Sequence, residues 1–225
     1  KSPHHKGRLM LEMKSSSSLN ARGILALKNV SFKIHQGEIF GVAGVAGNGQ
    51  SELAEVITGL RKTKAGKIII DGQDLTNHAP AEIIRQGVCH IPEDRIRMGL
   101  APGFSIKENM ILETHASPQF CGKVFMDYAS INRHADKLIS DYDIRTPHRD
   151  ILAGNLSGGN IQKLILAREL CREPKLIIAN QPTIGLDIGA TTYIRRKLLE
   201  ARECGVAVLL ISEDLEEILS MSDQI

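Results

Sequence analysis

The chain has 225 residues, 42% of them hydrophobic and 24% charged, which predicts one folded domain with room for an inserted subdomain. Its 28 basic and 26 acidic residues are mixed along the chain and give a net charge of +2, so no nucleic-acid partner is expected. The four cysteines are far apart, which disfavours a disulfide framework and a zinc site and favours a reducing compartment.

Short β-branched runs alternate with amphipathic segments, which predicts βα units and a mostly parallel sheet. We expect the first two strands to form an antiparallel edge, and Ser15–Ser18 to be a surface loop. Residues Lys1 to Arg8 are interpreted as a linker of a longer protein. The predicted strands are Leu9–Lys14, Leu25–Ile34, Ile39–Ala43, Lys67–Ile70, Val88–Ile91, Leu176–Ala179 and Val206–Ile211.

Helical signals dominate between Gly99 and Ser157, which predicts a helical subdomain over residues 99–157, inserted in a core of residues 1–98 and 158–225. Met98 and Met110 are expected in the protein core. The longest apolar runs have the length of a strand, not of a membrane span. The predicted helices are Ser51–Thr58, Ala81–Gln86, Ser105–Leu112, Ser130–Asp141, Ile161–Cys171, Ala190–Glu203 and Leu215–Leu219.

A glycine-rich loop follows the strand that ends near Ala43. It fits the frame G-x-x-x-x-G-K-[ST], in which backbone N–H groups wrap phosphates, except that Gln50 replaces the lysine. The glycines alone would also fit a tight turn, but the helix that follows supplies a dipole that favours an anion. The predicted nucleotide-binding residues are Gly44, Gly47, Asn48, Gly49, Gln50, Ser51 and Glu52.

Three further landmarks follow in order. Ser157-Gly158-Gly159 opens a helix, where Ser157 alone would also fit a simple N-cap. A buried strand leads into Asn180-Gln181 and then to Asp187. The last strand runs into Ser212-Glu213-Asp214. This order and spacing is not expected by chance.

From about Leu9 onward, the chain resembles the ABC transporter ATPases. The resemblance implies an α/β P-loop fold of ABC type, with a mostly parallel sheet, an antiparallel β edge and a helical subdomain, and it implies ATP and Mg²⁺ as cofactors. It places Glu93 at a glutamine-bearing loop, Asn180 and Gln181 at a strand end that carries Asp-Glu in the family, Asp187 in an aspartate loop and Glu213 at a switch histidine. The signature positions are Leu156, Ser157, Gly158, Gly159, Asn160 and Gln162.

Three departures from the family pattern, at Gln50, Asn180 and Gln181, remove charged groups. Glu93 and Glu213 instead place carboxylates where the family has an amide and a neutral or cationic switch residue, and these should repel a γ-phosphate unless Mg²⁺ intervenes. Gln50 offers a neutral hydrogen bond, worth about 1 kcal/mol, where a lysine offers a charged one, worth about 1.5 to 3 kcal/mol. Asn180 supplies no carboxylate for Mg²⁺, and Gln181 cannot act as a general base. We therefore expect no intact catalytic residue, a site that does not hydrolyse ATP, and weak nucleotide and Mg²⁺ binding with Ser51 as the metal ligand.

The signature keeps its hydroxyl and glycines. In the family two ATPase domains pair head to tail, so this signature would complete the partner domain's ATP site. Residues Gly41–Gln50 and Pro92–Arg95 are similar to the second ATPase half of bacterial-type simple-sugar and nucleoside importers. That resemblance implies membrane permease subunits as partners, with a solute-binding protein involved indirectly, at the cytoplasmic face of the membrane. Glu93, Asp94 and Arg95 are candidate permease contacts, although the same residues would also fit a charged loop exposed to solvent.

Two alternatives remain open at this stage. The chain would be an independently active ATPase if Glu93 or Glu213 served as the base. It would instead be a soluble ABC protein of translation or DNA repair if no permease were involved, although the sequence has no basic aromatic-rich insertion or long coiled coil to favour that class.

Overall fold

The computed structural model describes residues 7–45, 47–122 and 125–225. Most of the predicted opening linker and Ala46 of the glycine-rich loop lie outside these residues. The chain forms two compact units. The first contains the described residues up to Glu93 together with Glu173–Ile184 and Arg195–Ile225, and the second contains Asp94–Arg172 and Gly185–Ile194.

The first unit holds two sheets of four strands, a parallel one in the order β3-β8-β7-β6 and an antiparallel one in the order β2-β1-β4-β5. The mostly parallel sheet and the antiparallel edge were both predicted, and the fold class is confirmed. The strands are β1 (Leu9–Leu19), β2 (Leu25–His35), β3 (Ile39–Ala43), β4 (Ala65–Ile70), β5 (Gln73–Asp74), β6 (Val88–Ile91), β7 (Leu176–Asn180) and β8 (Ala207–Ser212).

The predicted helices are present, with ends shifted by a few residues. A short 3₁₀ helix at Ala153–Asn155 was not predicted. Within the described residues, no helix combines the length and the apolar character that crossing a bilayer requires. The helices are α1 (Gln50–Ile57), α2 (Pro80–Arg85), α3 (Ile106–Met110), α4 (Tyr128–Asp141), α5 (Gly158–Leu170), α6 (Ile188–Glu203) and α7 (Leu215–Met221).

The parallel sheet determines where the functional loops lie. All residues of β7 and β8 are buried, as expected for strands covered on both faces and built from continuous apolar runs. Val208 pairs with Ile39 on one side and with Ile177 on the other, and Cys89 pairs with Ile177. Because all four strands are parallel, the segments that follow β3, β6, β7 and β8 meet at one edge of the sheet.

The prediction that Ser15–Ser18 is a surface loop was wrong, because these residues belong to β1. The side chains of Ser16 and Ser18 are fully buried, and their hydroxyls donate hydrogen bonds to Lys67 O (3.2 Å) and Lys62 O (2.9 Å). The strand register shifts between Met13 and Ser16, which is typical of a β-bulge. Carbonyl partners far along the chain therefore satisfy hydroxyls that the local sequence assigns to solvent.

A buried ion pair fixes α7 in the first unit. The Glu217 side chain is 0% exposed, and its Oε1 accepts hydrogen bonds from Arg195 Nε (3.0 Å) and Thr183 Oγ1 (3.0 Å). Arg195 Nη2 also donates to Asp214 Oδ2 (2.7 Å), at the N-cap of α7. Thr183 lies just after β7 and Asp214 just after β8, so one ion pair connects two loops of the sheet edge.

The second unit is mainly helical. Ser105 caps α3 in a capping box with Glu108, and Asp127 caps α4. Phe120 and Ile131 belong to its apolar core. Met110 is buried as predicted, but the prediction for Met98 was wrong, because its side chain is 48% exposed.

His90, on the edge strand β6, makes the stability of the fold depend on pH. Burial lowers the pKa of its imidazole from 6.5 to about 4. The unfolded chain therefore binds a proton between these pH values that the folded chain does not, so stability is complete above pH 6.5 and falls as the pH decreases toward 4. We expect His90→Met to reduce the loss of unfolding free energy between pH 7 and pH 4.5 by about 2 kcal/mol, measured by urea denaturation.

His115→Met is the matched control, because it replaces a histidine that is exposed. This variant should retain the pH dependence of the wild-type protein. An unchanged pH dependence in His90→Met would show that other groups account for the loss of stability.

Candidate functional site

The glycine-rich loop connects β3 to the N-terminus of α1. Gly49 is the N-cap of α1 with φ 100°, and no side chain caps the helix at this residue. A Cβ atom on Gly49 would lie 2.7 Å from Ala26 O, so only glycine fits both the backbone angle and the space. The loop has the form of an anion site at a helix N-terminus. Glu52 in the first turn of α1 adds a negative charge that opposes an anion there.

The side chain of Gln50 lies inside this loop. Its Nε2 donates to Val45 O (2.9 Å), and its Oε1 accepts the N–H of Asn48 (3.1 Å). The Asn48 side chain also donates to Val45 O (3.1 Å). The position of the family's lysine is therefore taken by a neutral amide that bonds to the loop itself.

Ser51, Glu93 and Asn180 are candidate metal ligands with oxygen-bearing side chains. Ser51 Oγ donates to Glu93 Oε2 (2.9 Å). Asn180 ends β7 and is 4% exposed, and its Oδ1 has no hydrogen-bond partner among the described residues. β6 pairs with β7 through Ile91 and Ala179, which brings the segment that carries Glu93 to the same edge as Asn180. A hydroxyl, a carboxylate and an amide oxygen are ligands that Mg²⁺ accepts, so this set fits the ion.

Gln181 stands where the resemblance places the general base. It is 7% exposed and has φ 50°, a left-handed conformation that is uncommon for a residue other than glycine. Its Oε1 accepts the N–H of Glu213 (3.2 Å), and its own N–H donates to Ile211 O (2.8 Å). Gln181 therefore connects β7 to the loop after β8, and an amide cannot take a proton from water.

The signature forms the start of α5 in the second unit. Ser157 is the N-cap, and its Oγ accepts hydrogen bonds from Asn160 Nδ2 (3.0 Å) and, at the longer distance of 3.4 Å, from Asn160 N. A serine hydroxyl has two acceptor lone pairs and one proton. Because Ser157 Oγ only accepts in both bonds, its own proton is not used by Asn160 and can donate to a ligand. Ser157 and Gly158 are exposed, whereas Gln162 is 2% exposed and its side chain faces the interior.

A cavity of about 300 Å³ adjoins the signature within the second unit, lined in part by Ser157, Gly159 and Asp187. Asp187 Oδ1 accepts the N–H of Ala190 (2.9 Å), at the start of α6. The remaining charged and aromatic lining residues were not identified from the sequence. They are Asp143, Arg145, Lys163 and Tyr193.

These residues are held by mutual contacts. Lys163 Nζ donates to Asp143 Oδ2 (2.7 Å) and lies 4.8 Å from the centre of the Tyr193 ring. The N–H of Arg145 donates to Asn160 Oδ1 (2.9 Å). Among these lining residues, the sequence could have indicated Lys163. It follows Asn160 by three residues and therefore lies on the same face of the helix.

Asp94 and Arg95 begin the second unit. Asp94 Oδ1 accepts the N–H groups of Ile96 (3.2 Å) and Arg97 (2.9 Å), which forms a turn. Arg95 Nη1 donates to Gly158 O (3.4 Å) in the signature, and burial lowers the pKa of Arg95. Ile96 is exposed, as is Met98. This segment therefore presents an acidic residue, the basic Arg97 that pairs with it (3.7 Å) and two apolar side chains to its surroundings.

Comparisons with known proteins place these features in a family. Residues 27–184 match the model of the family described as "ABC transporter". The chain is 47% identical over 221 residues to the glucose import ATP-binding protein TsgD13 of Haloferax volcanii, covering 97% of this chain and 40% of that protein. It is 46% identical over 217 residues to the nucleoside import ATP-binding protein NupA of Lactococcus lactis, covering 96% and 43%. The chain thus spans about two fifths of the length of these relatives.

The fold also matches solved structures. A dimeric post-hydrolysis state of the ATP-binding cassette MJ0796, bound to ADP and Pi, aligns with a TM-score of 0.78 and 26% identity over 93% of this chain and 90% of that one. The MJ1267 cassette aligns with a TM-score of 0.77 and 26% identity over 96% and 85%. By its matched sequence and its fold, the chain belongs to the ABC transporter family.

Proposed function

We propose that the chain is a nucleotide-binding domain of an importer for simple sugars or nucleosides, in which its own site does not hydrolyse ATP and its signature completes the ATP site of a partner ABC ATPase domain. The observation that carries this proposal is the hydrogen bonding of Ser157. Asn160 fills both lone pairs of its hydroxyl, which leaves the proton for a phosphate oxygen. The names of the relatives, a glucose importer and a nucleoside importer, support the substrate classes.

The chain's own site lacks the groups that hydrolysis requires. Gln181 bonds to the backbone of Glu213, and Gln50 brings no positive charge to the phosphates. A positioned general base typically contributes roughly 10² to 10⁴ in rate, and an amide contributes none of it. The glycines and the N-terminus of α1 remain able to hold a nucleotide weakly.

Mg²⁺ bound with the nucleotide would neutralise phosphate charge. Ser51, Glu93 and Asn180 would hold the ion, since their oxygens occupy one edge of the sheet and Asn180 Oδ1 is buried without a described partner. The Glu93 carboxylate would otherwise repel the phosphates, so nucleotide binding at this site should depend strongly on the cation.

At the signature, catalysis belongs to the partner domain's site. Ser157 and the exposed N–H groups at the start of α5 would bind the γ-phosphate held by the partner and stabilise the charge that develops during hydrolysis. Gly158 is exposed, so its backbone would be accessible to this approach. Asp187 lines the adjoining cavity and would lie beside the same partner.

Membrane permease subunits are the second proposed partner. Asp94 and Arg95 would contact the permease, aided by the exposed side chains of Ile96 and Met98, whereas Glu93 is bonded to Ser51 in the nucleotide site. Arg95 also bonds to the signature, so a permease contact would reach the ATP site through one side chain. The domain would then act at the cytoplasmic face of the membrane, with a solute-binding protein acting indirectly through the permease.

The role of the signature is tested with Ser157→Ala in the assembled transporter. We expect ATP hydrolysis to fall by about 10² to 10³, the cost of losing one donor to transition-state charge. The readout is steady-state phosphate release from MgATP. Ser105→Ala is the matched control, because it removes the N-cap of α3 in the same unit and should leave hydrolysis near the wild-type rate.

Unchanged hydrolysis in Ser157→Ala would remove this signature from the reaction. If the chain were an independently active ATPase, it would release phosphate on its own, and Glu93→Gln or Glu213→Gln would abolish this release. Either result would contradict the division of labour proposed here.

Gln181→Glu tests whether the missing base is the sole defect. We expect this variant alone to release no measurable phosphate, because the carboxylate would still bond to the N–H of Glu213 while Gln50 and Asn180 remain neutral. Single-turnover release of ³²P from labelled MgATP is the measurement. Turnover well above the wild-type background would show that the other substitutions are compatible with hydrolysis.

A further inference from the structure

We propose that the Gln50 side chain occupies the phosphate loop as an internal ligand, so that a polyphosphate must displace its amide before it can bind. The inference rests on the proposed function only in treating residues 44–51 as a phosphate loop. Glutamine would then weaken phosphate binding in two ways. It lacks the positive charge of lysine, and its side chain competes with the polyphosphate for the same hydrogen bond.

The geometry shows which group is occupied. A phosphate loop binds its ligand through backbone N–H groups that point to the centre of the loop. The N–H of Asn48 directly precedes the N-cap of α1, and Gln50 Oε1 accepts it at 3.1 Å. An amide oxygen thus stands where a phosphate oxygen would accept this hydrogen bond.

The other end of the amide holds the side chain in place. Gln50 Nε2 donates to Val45 O at 2.9 Å, so the side chain spans the loop with one donor and one acceptor bond. Gly44 makes room for it, because a Cβ atom on Gly44 would collide with Gln50 Nε2.

An amide differs from the lysine of the family in a way that charge alone does not describe. A lysine ammonium carries three donors and no acceptor, so it cannot bind the N–H of Asn48 and leaves it open to a phosphate. Glutamine carries both, and can therefore satisfy the loop without any ligand. A lysine at this position would attract the phosphate, whereas Gln50 takes the place of the phosphate.

The size of the effect follows from the bonds that must be exchanged. A neutral hydrogen bond contributes about 0.5 to 1.5 kcal/mol net, which corresponds to about a two- to tenfold change in affinity. Asn48 Nδ2 also donates to Val45 O, so the loop keeps one closing bond when Gln50 leaves. A side chain of equal length without hydrogen-bonding groups should therefore bind polyphosphate more tightly than glutamine does.

Gln50→Met in the full chain tests this directly. The affinity for inorganic tripolyphosphate and for MgATP is measured by isothermal titration calorimetry beside the wild-type chain. We expect Gln50→Met to bind both about two- to tenfold more tightly, and Gln50→Lys to bind more tightly still because it adds a charge. Gln73→Met, a substitution at an exposed glutamine in β5, is the matched control and should keep the wild-type affinity.

Equal or weaker binding by Gln50→Met, including no detectable binding, would overturn the proposal, because glutamine would then be a phosphate ligand or an inert neighbour. A second measurement addresses the hydrogen bond itself: the amide hydrogen exchange rate of Asn48 by NMR should rise in Gln50→Met and stay unchanged in Gln73→Met. An unchanged rate in Gln50→Met would also overturn it. The transporter assay on Ser157 does not involve Gln50, so failure of either proposal is recognised separately.

Discussion

Complete burial of β7 and β8 is the constraint on which the rest of the structure depends. Buried strands have no water to satisfy their backbone groups, so each must pair with its neighbours, and Val208 is fixed between Ile39 and Ile177. The register determines where each strand ends. The segments after β3, β6, β7 and β8 therefore emerge at one edge of the sheet whatever side chains they carry.

The replaced residues share one physical behaviour, which is that they bond to the protein. Gln50 bonds to the backbone of Val45 and Asn48, and Gln181 bonds to the backbone of Glu213. A charged lysine or carboxylate tends to stay free to bind a ligand, because burying its charge without a partner ion is costly. Amides carry donors and acceptors together and are easily satisfied by nearby backbone. Both amides therefore find hydrogen-bond partners within the chain itself.

Much of the fold could be predicted because it depends on local apolar patterns. The continuous apolar runs of β3 and β6 predicted the first and last residues of both strands correctly. The sequence also indicated that a helix begins at Ser157. Other features depend on partners distant in sequence. Ser16 and Ser18 read as loop residues because their carbonyl partners near Lys62 and Lys67 are not visible locally. The direction of the Gln50 side chain depends likewise on the closed shape of the loop, which residue types alone do not specify.

The ion pair of Arg195 and Glu217 has a consequence for motion. Thr183 binds Glu217, and Asp214 binds Arg195, so the loops that follow β7 and β8 share one buried anchor. Moving Thr183 away removes a hydrogen bond from the fully buried Glu217 carboxylate, and moving Asp214 away removes one ion pair from Arg195, the partner of Glu217. The two loops should therefore open together as one cooperative unit, which would couple the motions of Gln181 and Glu213.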